Sequence, residues 1–144
     1  MPVNPRSTYR MNELLMELAR NNINASHLSR SIYKLNEKKV SIRTTTKPGP
    51  IYWYDISKSV MDDVDYLIYQ TDSRHHFVLF PSSFFDQRYK KLKDSNRPNA
   101  KQFYINWRDK AIVSSPNFNE DIQSYCCSTQ RDDSYGTWKD IFLT

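Results

Sequence analysis

The sequence predicts an α/β (α+β) chain with a mixed central sheet of about five strands and helices against its faces. Three observations predict it. The stretch 51–81, IYWYDISKSVMDDVDYLIYQTDSRHHFVLFP, holds three short runs dense in aromatic and β-branched residues, at Ile51–Ser57, 65–70 and 76–80, with polar or acidic residues between them. Runs of this length and makeup, bounded this way, read as strands. Tyr66-Leu67-Ile68-Tyr69 is apolar on both sides, as a strand covered on both faces should be, so it is expected at the centre of one sheet shared by all three runs. Finally, Met11, Leu14, Leu15 and Leu18 recur at i, i+3, i+4 and i+7, the apolar stripe of an amphipathic helix over residues 9–22.

The remaining elements follow in chain order. Residues 1–8, with two prolines and no periodicity, are expected to be a flexible arm. Asn21-Asn22 ends the first helix. Asn24 or Ser26 is placed to cap a second, over residues 27–36, with Leu28, Ile32 and Leu35 facing inward. Residues 9–36 are thus a predicted helical hairpin. The segment ELARNNINASHLSRSIYKL (17–35) also has the outline of a DNA-reading helix-turn-helix, without the usual turn glycine. In KKVSIRTTTKPGP, Val40, Ile42 and Thr44 alternate with Ser41, Arg43 and Thr45, predicting a strand that the Pro-Gly-Pro turn closes. Residues 82–94 read as a helix with Phe84, Phe85, Tyr89 and Leu92 on one side and Arg88, Lys90, Lys91 and Lys93 on the other. Phe103, Ile105 and Trp107 alternate in a further strand, so 38–107 is the sheet core with one inserted helix. Residues 108–144 are expected to form a C-terminal helical cap: a short helix over 117–127, then Gly136-Thr137-Trp138 leading into a last helical turn that docks Ile141 and Phe142.

A chain of 144 residues makes one domain of ordinary size and can bury about two-thirds of its unfolded surface. Two glycines exclude every glycine-rich phosphate loop, and any φ > 0 turn falls to Asn or Asp. The adjacent cysteines, Cys126-Cys127, would form only a strained disulfide, so reduced thiols and a cytoplasmic setting are expected. No run approaches the ~20 apolar residues of a membrane helix, and MPVNPRSTYR lacks the apolar core of a secretory signal. No membrane partner is expected.

The net charge of +5 is unevenly placed. Residues 1–50 carry nine Lys/Arg against three Glu, and 87–110 carry eight against two Asp; the segment 51–86 between them carries two against six Asp. Two basic blocks flanking an acidic strand region suit contact with a polyanion. In the second block Lys90, Lys91, Lys93, Arg97 and Lys101 interleave with Tyr89, Tyr104 and Trp107, cations for phosphates beside aromatics for bases.

Read together, Val40-Ser41-Ile42-Arg43-Thr44-Thr45, Tyr52-Trp53-Tyr54, Asp65-Tyr66-Leu67-Ile68-Tyr69 and Phe77-Val78-Leu79-Phe80-Pro81 resemble the core of small restriction-endonuclease-like proteins, the PD-(D/E)XK superfamily, over roughly residues 10–107. The resemblance implies a helix-flanked sheet and DNA as partner. It also implies two metal-holding carboxylates and a lysine beside the attacking water. Here the position for Glu-x-Lys reads Ser41-Ile42-Arg43, and no Asp precedes residue 55. Serine is a poor metal ligand, and arginine stays protonated and cannot act as a base. Glu37-Lys38-Lys39 is a literal Glu-x-Lys lying two to four residues early, and Glu13 or Glu17 would be the helix carboxylate.

The expectation is therefore a nucleic-acid-binding protein, DNA first, whose catalysis is lost and which needs no cofactor. Arg30, Lys34, Arg43 and Lys47 from the first block, and Lys90, Lys91, Arg97 and Lys101 from the second, would neutralise phosphates. The alternative is a Mg²⁺-dependent DNA endonuclease using Glu37, Lys39 and Asp55. A third reading is a small inhibitor or adaptor whose partner is a nucleic-acid-handling protein. A homodimer would match two-fold DNA sites. Asp62, Asp63 and Asp65 read first as turn residues and second as a Mg²⁺ site. His75 and His76, adjacent on a strand, point to opposite faces and do not converge on an ion.

Overall fold

The structure, a computed structural model, describes residues 5–114, 117–130 and 138–143. It is α+β, with two sheets and three helices among the described residues. In chain order the elements are α1 (Pro5–Arg20), β1 (Ala25–Ser29), β2 (Ile32–Leu35), β3 (Lys38–Arg43), β4 (Ile51–Ser57), α2 (Lys58–Asp63), β5 (Tyr66–Gln70), β6 (His76–Pro81), β7 (Lys93–Asp94), β8 (Ala100–Asn106), β9 (Ala111–Ser114), β10 (Phe118–Asp121), β11 (Cys126–Ser128) and α3 (Lys139–Leu143). The first sheet runs β1-β2-β3-β5-β6-β11 and is antiparallel except for the parallel pair β3–β5. The second runs β10-β9-β8-β4, all antiparallel, with β7 also paired to β8.

Strand alternation divides the interior into two cores. From β5 and β6, Leu67, Tyr69, Val78 and Phe80 meet Tyr52, Tyr54 and Ile56 of β4 and Phe103 and Ile105 of β8 between the sheets. The intervening residues Ile68, Phe77 and Leu79 join Val40 and Ile42 of β3 on the opposite face. There they pack against Leu14 and Leu18 of α1, Trp138 and Phe142. The first sheet is thus covered on both sides, by helices on one and by the second sheet on the other. The inter-sheet core is aromatic: Tyr69 lies edge-on to Phe103 at 5.2 Å, and Tyr54 meets Tyr69 at 4.8 Å. Such tilted and edge-to-face pairs add to the area they bury.

α1 stops as its sequence requires. Asn22 adopts φ 65°, its N–H donates to Ala19 O and that of Ile23 donates to Leu18 O. This is a Schellman ending with Asn in the place of glycine, sealed by the fully buried pair Ile23 and Leu18. Asn36 and Asn99 also take positive φ, as the scarcity of glycine demands; Arg30 and Lys110 do so as well.

Several expectations are corrected. Residues 24–36 form the β1–β2 hairpin, so the helical hairpin over 9–36 and the helix-turn-helix outline both fall. Leu28 is half exposed at the bulge in β1 and faces no core. Leu28, Ile32 and Leu35 fit a helical spacing. Their hairpin turns through a left-handed arginine, Arg30, which carries no turn signal, and β1 is an edge strand without apolar alternation. The three runs in 51–81 do not share a sheet, since β4 belongs to the second one. The inserted helix expected at 82–94 is two 3-10 turns, Ser82–Phe85 and Tyr89–Lys91, which let the neighbours Phe84 and Phe85 both reach the core. The helix inserted in the sheet region is instead α2, capped by Ser57, whose Oγ accepts from Val60 N–H at 3.3 Å. Among the described residues the C-terminal helical cap is mostly strand, β9, β10 and β11; the helix expected over 117–127 is reduced to a 3-10 turn at Gln123–Tyr125, and the last turn, α3, is helical with Phe142 buried. The arm expected at 1–8 gives way to α1 from Pro5, and residues 1–4, like Gly136 and Thr137, lie outside the described residues.

Candidate nucleic-acid interface

The face of the first sheet that meets the second changes character across its strands. On β5 and β6 it is apolar, but on β3 the same face carries Lys39, Ser41 and Arg43 and on β2 it carries Lys34 beside the buried Ile32. A sheet edge cannot close over a guanidinium without stripping its water, which costs more than the burial returns. A cleft of about 210 Å³ remains between Ser41 and Arg43 of β3, Asp55 to Ser57 of the edge strand β4, and the start of α2.

Three arginines from three separate segments line this cleft: Arg30 from the β1–β2 turn, Arg43 from the end of β3 and Arg97 from the loop before β8. Each is held by its backbone. Arg30 adopts φ 47° and its carbonyl accepts from His27 Nε2 at 2.8 Å. Arg43 pairs in register with Tyr69. The loop of Arg97 is closed by Ser95, whose Oγ accepts the Arg97 N–H at 3.2 Å, and by Asn99 at φ 58°. One carboxylate, Asp55, faces them, 4.0 Å from Arg97. Among the described residues no carboxylate comes within ion-pair distance of Arg30 or Arg43.

Serine hydroxyls complete the lining. Ser31 and Ser41 share a hydrogen bond of 3.0 Å, and Ser57 and Ser59 one of 3.2 Å. Tyr69 forms part of the floor. Burial holds its phenol well above the ordinary tyrosine range; Arg43 pulls the other way and Asp55 reinforces the rise. Tyr54, on the dry side, is raised for the same principal reason. Both phenols therefore stay neutral, and the charge of the cleft is that of its three arginines and Asp55.

At Arg97 and Ala100 the cleft adjoins a more open groove of about 560 Å³, lined by Lys58, Tyr89, Asp94 and Lys101 among others. Lys101 binds Asp94 at 2.7 Å and lies over the Tyr89 ring at 5.8 Å.

Of the eight expected phosphate contacts, Arg30, Arg43 and Arg97 come together and Lys101 lies next to them. Lys34 is exposed on β2, 3.7 Å from Glu37. Lys47 is exposed in the β3–β4 loop, and Lys90 and Lys91 are exposed on the second 3-10 turn; none of these three lines the cleft or the groove. Of the nuclease set, Asp55 lines the cleft. Glu37 stands in the β2–β3 turn, and Lys39 is engaged by Asp63 at 2.7 Å while its N–H binds Asp65. Among the described residues no three His, Cys, Asp or Glu side chains gather as a metal site. Trp107, expected beside the basic residues, is in the inter-sheet core. Ser31, Ser57, Ser59, Lys58 and Tyr69 were not foreseen as lining residues. The available signal was the insertion of serines next to otherwise apolar strands. Among the described residues no helix is long and apolar enough to cross a membrane.

Comparison with family models, with curated proteins and with solved structures gives no match to this chain.

Proposed function

We propose that this protein binds nucleic acid, DNA first, by seating backbone phosphates in the cleft between its two sheets. The observation that carries the reading is the convergence of Arg30, Arg43 and Arg97, drawn from both basic blocks, on one cleft against a single aspartate. Arginine forks and hydroxyl donors are the groups that hold phosphate oxygens. The adjoining groove, with Lys58 and Lys101, gives a charged chain somewhere to continue. The restriction-endonuclease-like part of the reading is supported by the mixed first sheet, with its parallel β3–β5 pair and helices on one face. The second sheet occupies the face where that scaffold implies helices, a departure from the resemblance.

A gel shift over a salt series, with and without Mg²⁺, tests this. Retardation that weakens steeply with salt and is reduced by Arg43→Ala is expected, because each neutralised phosphate releases counterions. Absence of salt-sensitive retention defeats the proposal. Cutting in Mg²⁺ that disappears in Asp55→Ala would install the nuclease instead.

A further inference from the structure

We infer that the ligand is single-stranded, with a base stacked on the outward pair Trp53 and Tyr104 while its phosphate lies in the arginine cleft. The inference rests on the binding reading above and adds the form of the nucleic acid.

On β4, Tyr52, Tyr54 and Ile56 are buried between the sheets, so Trp53 takes the opposite side of the strand and is 49% exposed. Directly across on β8 is Tyr104, with ring centroids 4.8 Å apart and planes tilted by 56°. Among the described residues the other large exposed apolar side chains, Tyr9, Met16, Leu28 and Leu143, are not in that register. Trp53 is two residues from Asp55, which lines the cleft. Alternation puts both on the same side of β4, about 7 Å apart along the strand. Arg97 approaches Asp55 at 4.0 Å, so a phosphate held by Arg97 at the rim of the cleft stands on the same side of β4 as the indole that takes the base.

A duplex offers no such fit. Its bases are already stacked on each other and present edges, whereas a single strand exposes π-faces to aromatic side chains. Cations along a groove with an aromatic beside them are the means by which proteins hold single strands without reading sequence.

The full chain carries its own reporter, because Trp107 and Trp138 are buried and Trp53 is exposed. The experiment is a tryptophan-fluorescence titration with a 12-nucleotide oligothymidylate and with a duplex of equal length, each over a salt series. The expected result is quenching by the single strand and affinity at least tenfold above that of the duplex. Trp53→Ala should weaken the single strand roughly ten- to hundredfold, the worth of one stacked base, with the salt slope unchanged. Trp53→Phe should keep most of the affinity, which separates stacking from any damage to the strand. Equal or tighter duplex binding, together with an indifferent Trp53→Ala, overturns this inference while leaving the phosphate-binding reading in place. Failure of both ligands to bind overturns the two together.

Discussion

The space between the two sheets has two ends that behave differently. At one, Tyr54, Tyr69, Phe80, Phe85 and Phe103 interlock with essentially no exposure. At the other, Ser41 and Arg43 stand on the neighbouring strand, and the sheets part around a cleft. The switch occurs between adjacent, in-register strands, β3 and β5, where Arg43 lies beside Tyr69. A change of side chains on a single strand is enough to turn a dry interface into an open, charged cleft. The two ends then differ in what they do for the fold: aromatic packing closes the sheets at one, and charge keeps them apart at the other.

That division of labour can be broken first at the dry end. Phe103→Ala removes a fully buried ring touching Tyr54, Tyr69 and Phe85, and should lower unfolding free energy by about 3–5 kcal/mol. Arg43→Ala should change it by no more than roughly 0.5 kcal/mol, as a partly exposed residue without an ion pair. Chemical denaturation of both variants checks the contrast; a similar loss in each would mean the cleft is structural. Binding should divide the opposite way. Arg43→Ala is expected to weaken nucleic-acid affinity about tenfold and reduce the salt slope by about one, and fluorescence anisotropy with labelled DNA would measure it.

The cleft's acidic member gives a finer test. Asp55→Asn removes the one carboxylate facing the arginines and should tighten polyanion binding a few-fold at low salt, by simple Coulomb balance. Weaker binding after this change would contradict a purely charge-neutralising role for the cleft.

The sequence made the two ends unequally legible. Tyr66-Leu67-Ile68-Tyr69 announced a strand covered on both faces, and β5 is that strand. Tyr52, Tyr54 and Ile56 alternate with Trp53 and Asp55, the mark of a strand covered on one face only. The contrast already implied two different sheets, but proximity along the chain favoured one. The arginines of the cleft were named from charge alone. Their meeting was hidden, because Arg30 reaches it through a hairpin whose edge strand lacks alternation and whose turn residue is not glycine. Asp55 was read as one of a nuclease set with Glu37 and Lys39; its arginine neighbours came from segments far away in sequence.

Two smaller effects probe the dry end by titration. Tyr54 and Tyr69 have folded pKa values above the ordinary tyrosine value of 10.0, chiefly through burial. The neutral phenols are favoured by the fold, so their contribution to stability is complete below pH ~10 and declines as the pH rises beyond it. Denaturation midpoints should be insensitive to these groups near neutrality and fall above pH ~10, less so in Tyr69→Phe. Cys126 is buried and its thiol is pushed up to about 12, again chiefly by burial. It should resist a thiol reagent at pH 8 until the protein unfolds; rapid stoichiometric labelling would show that this edge of the core opens.

The most direct test of the account is the dependence of nucleic-acid affinity on salt in the wild-type protein and in the triple variant Arg30→Ala, Arg43→Ala, Arg97→Ala. If these three side chains hold phosphates together, the slope of log K against log salt should shrink by about two to three with the fold intact by circular dichroism. An unchanged slope and affinity in the triple variant would mean that the nucleic acid binds elsewhere or not at all.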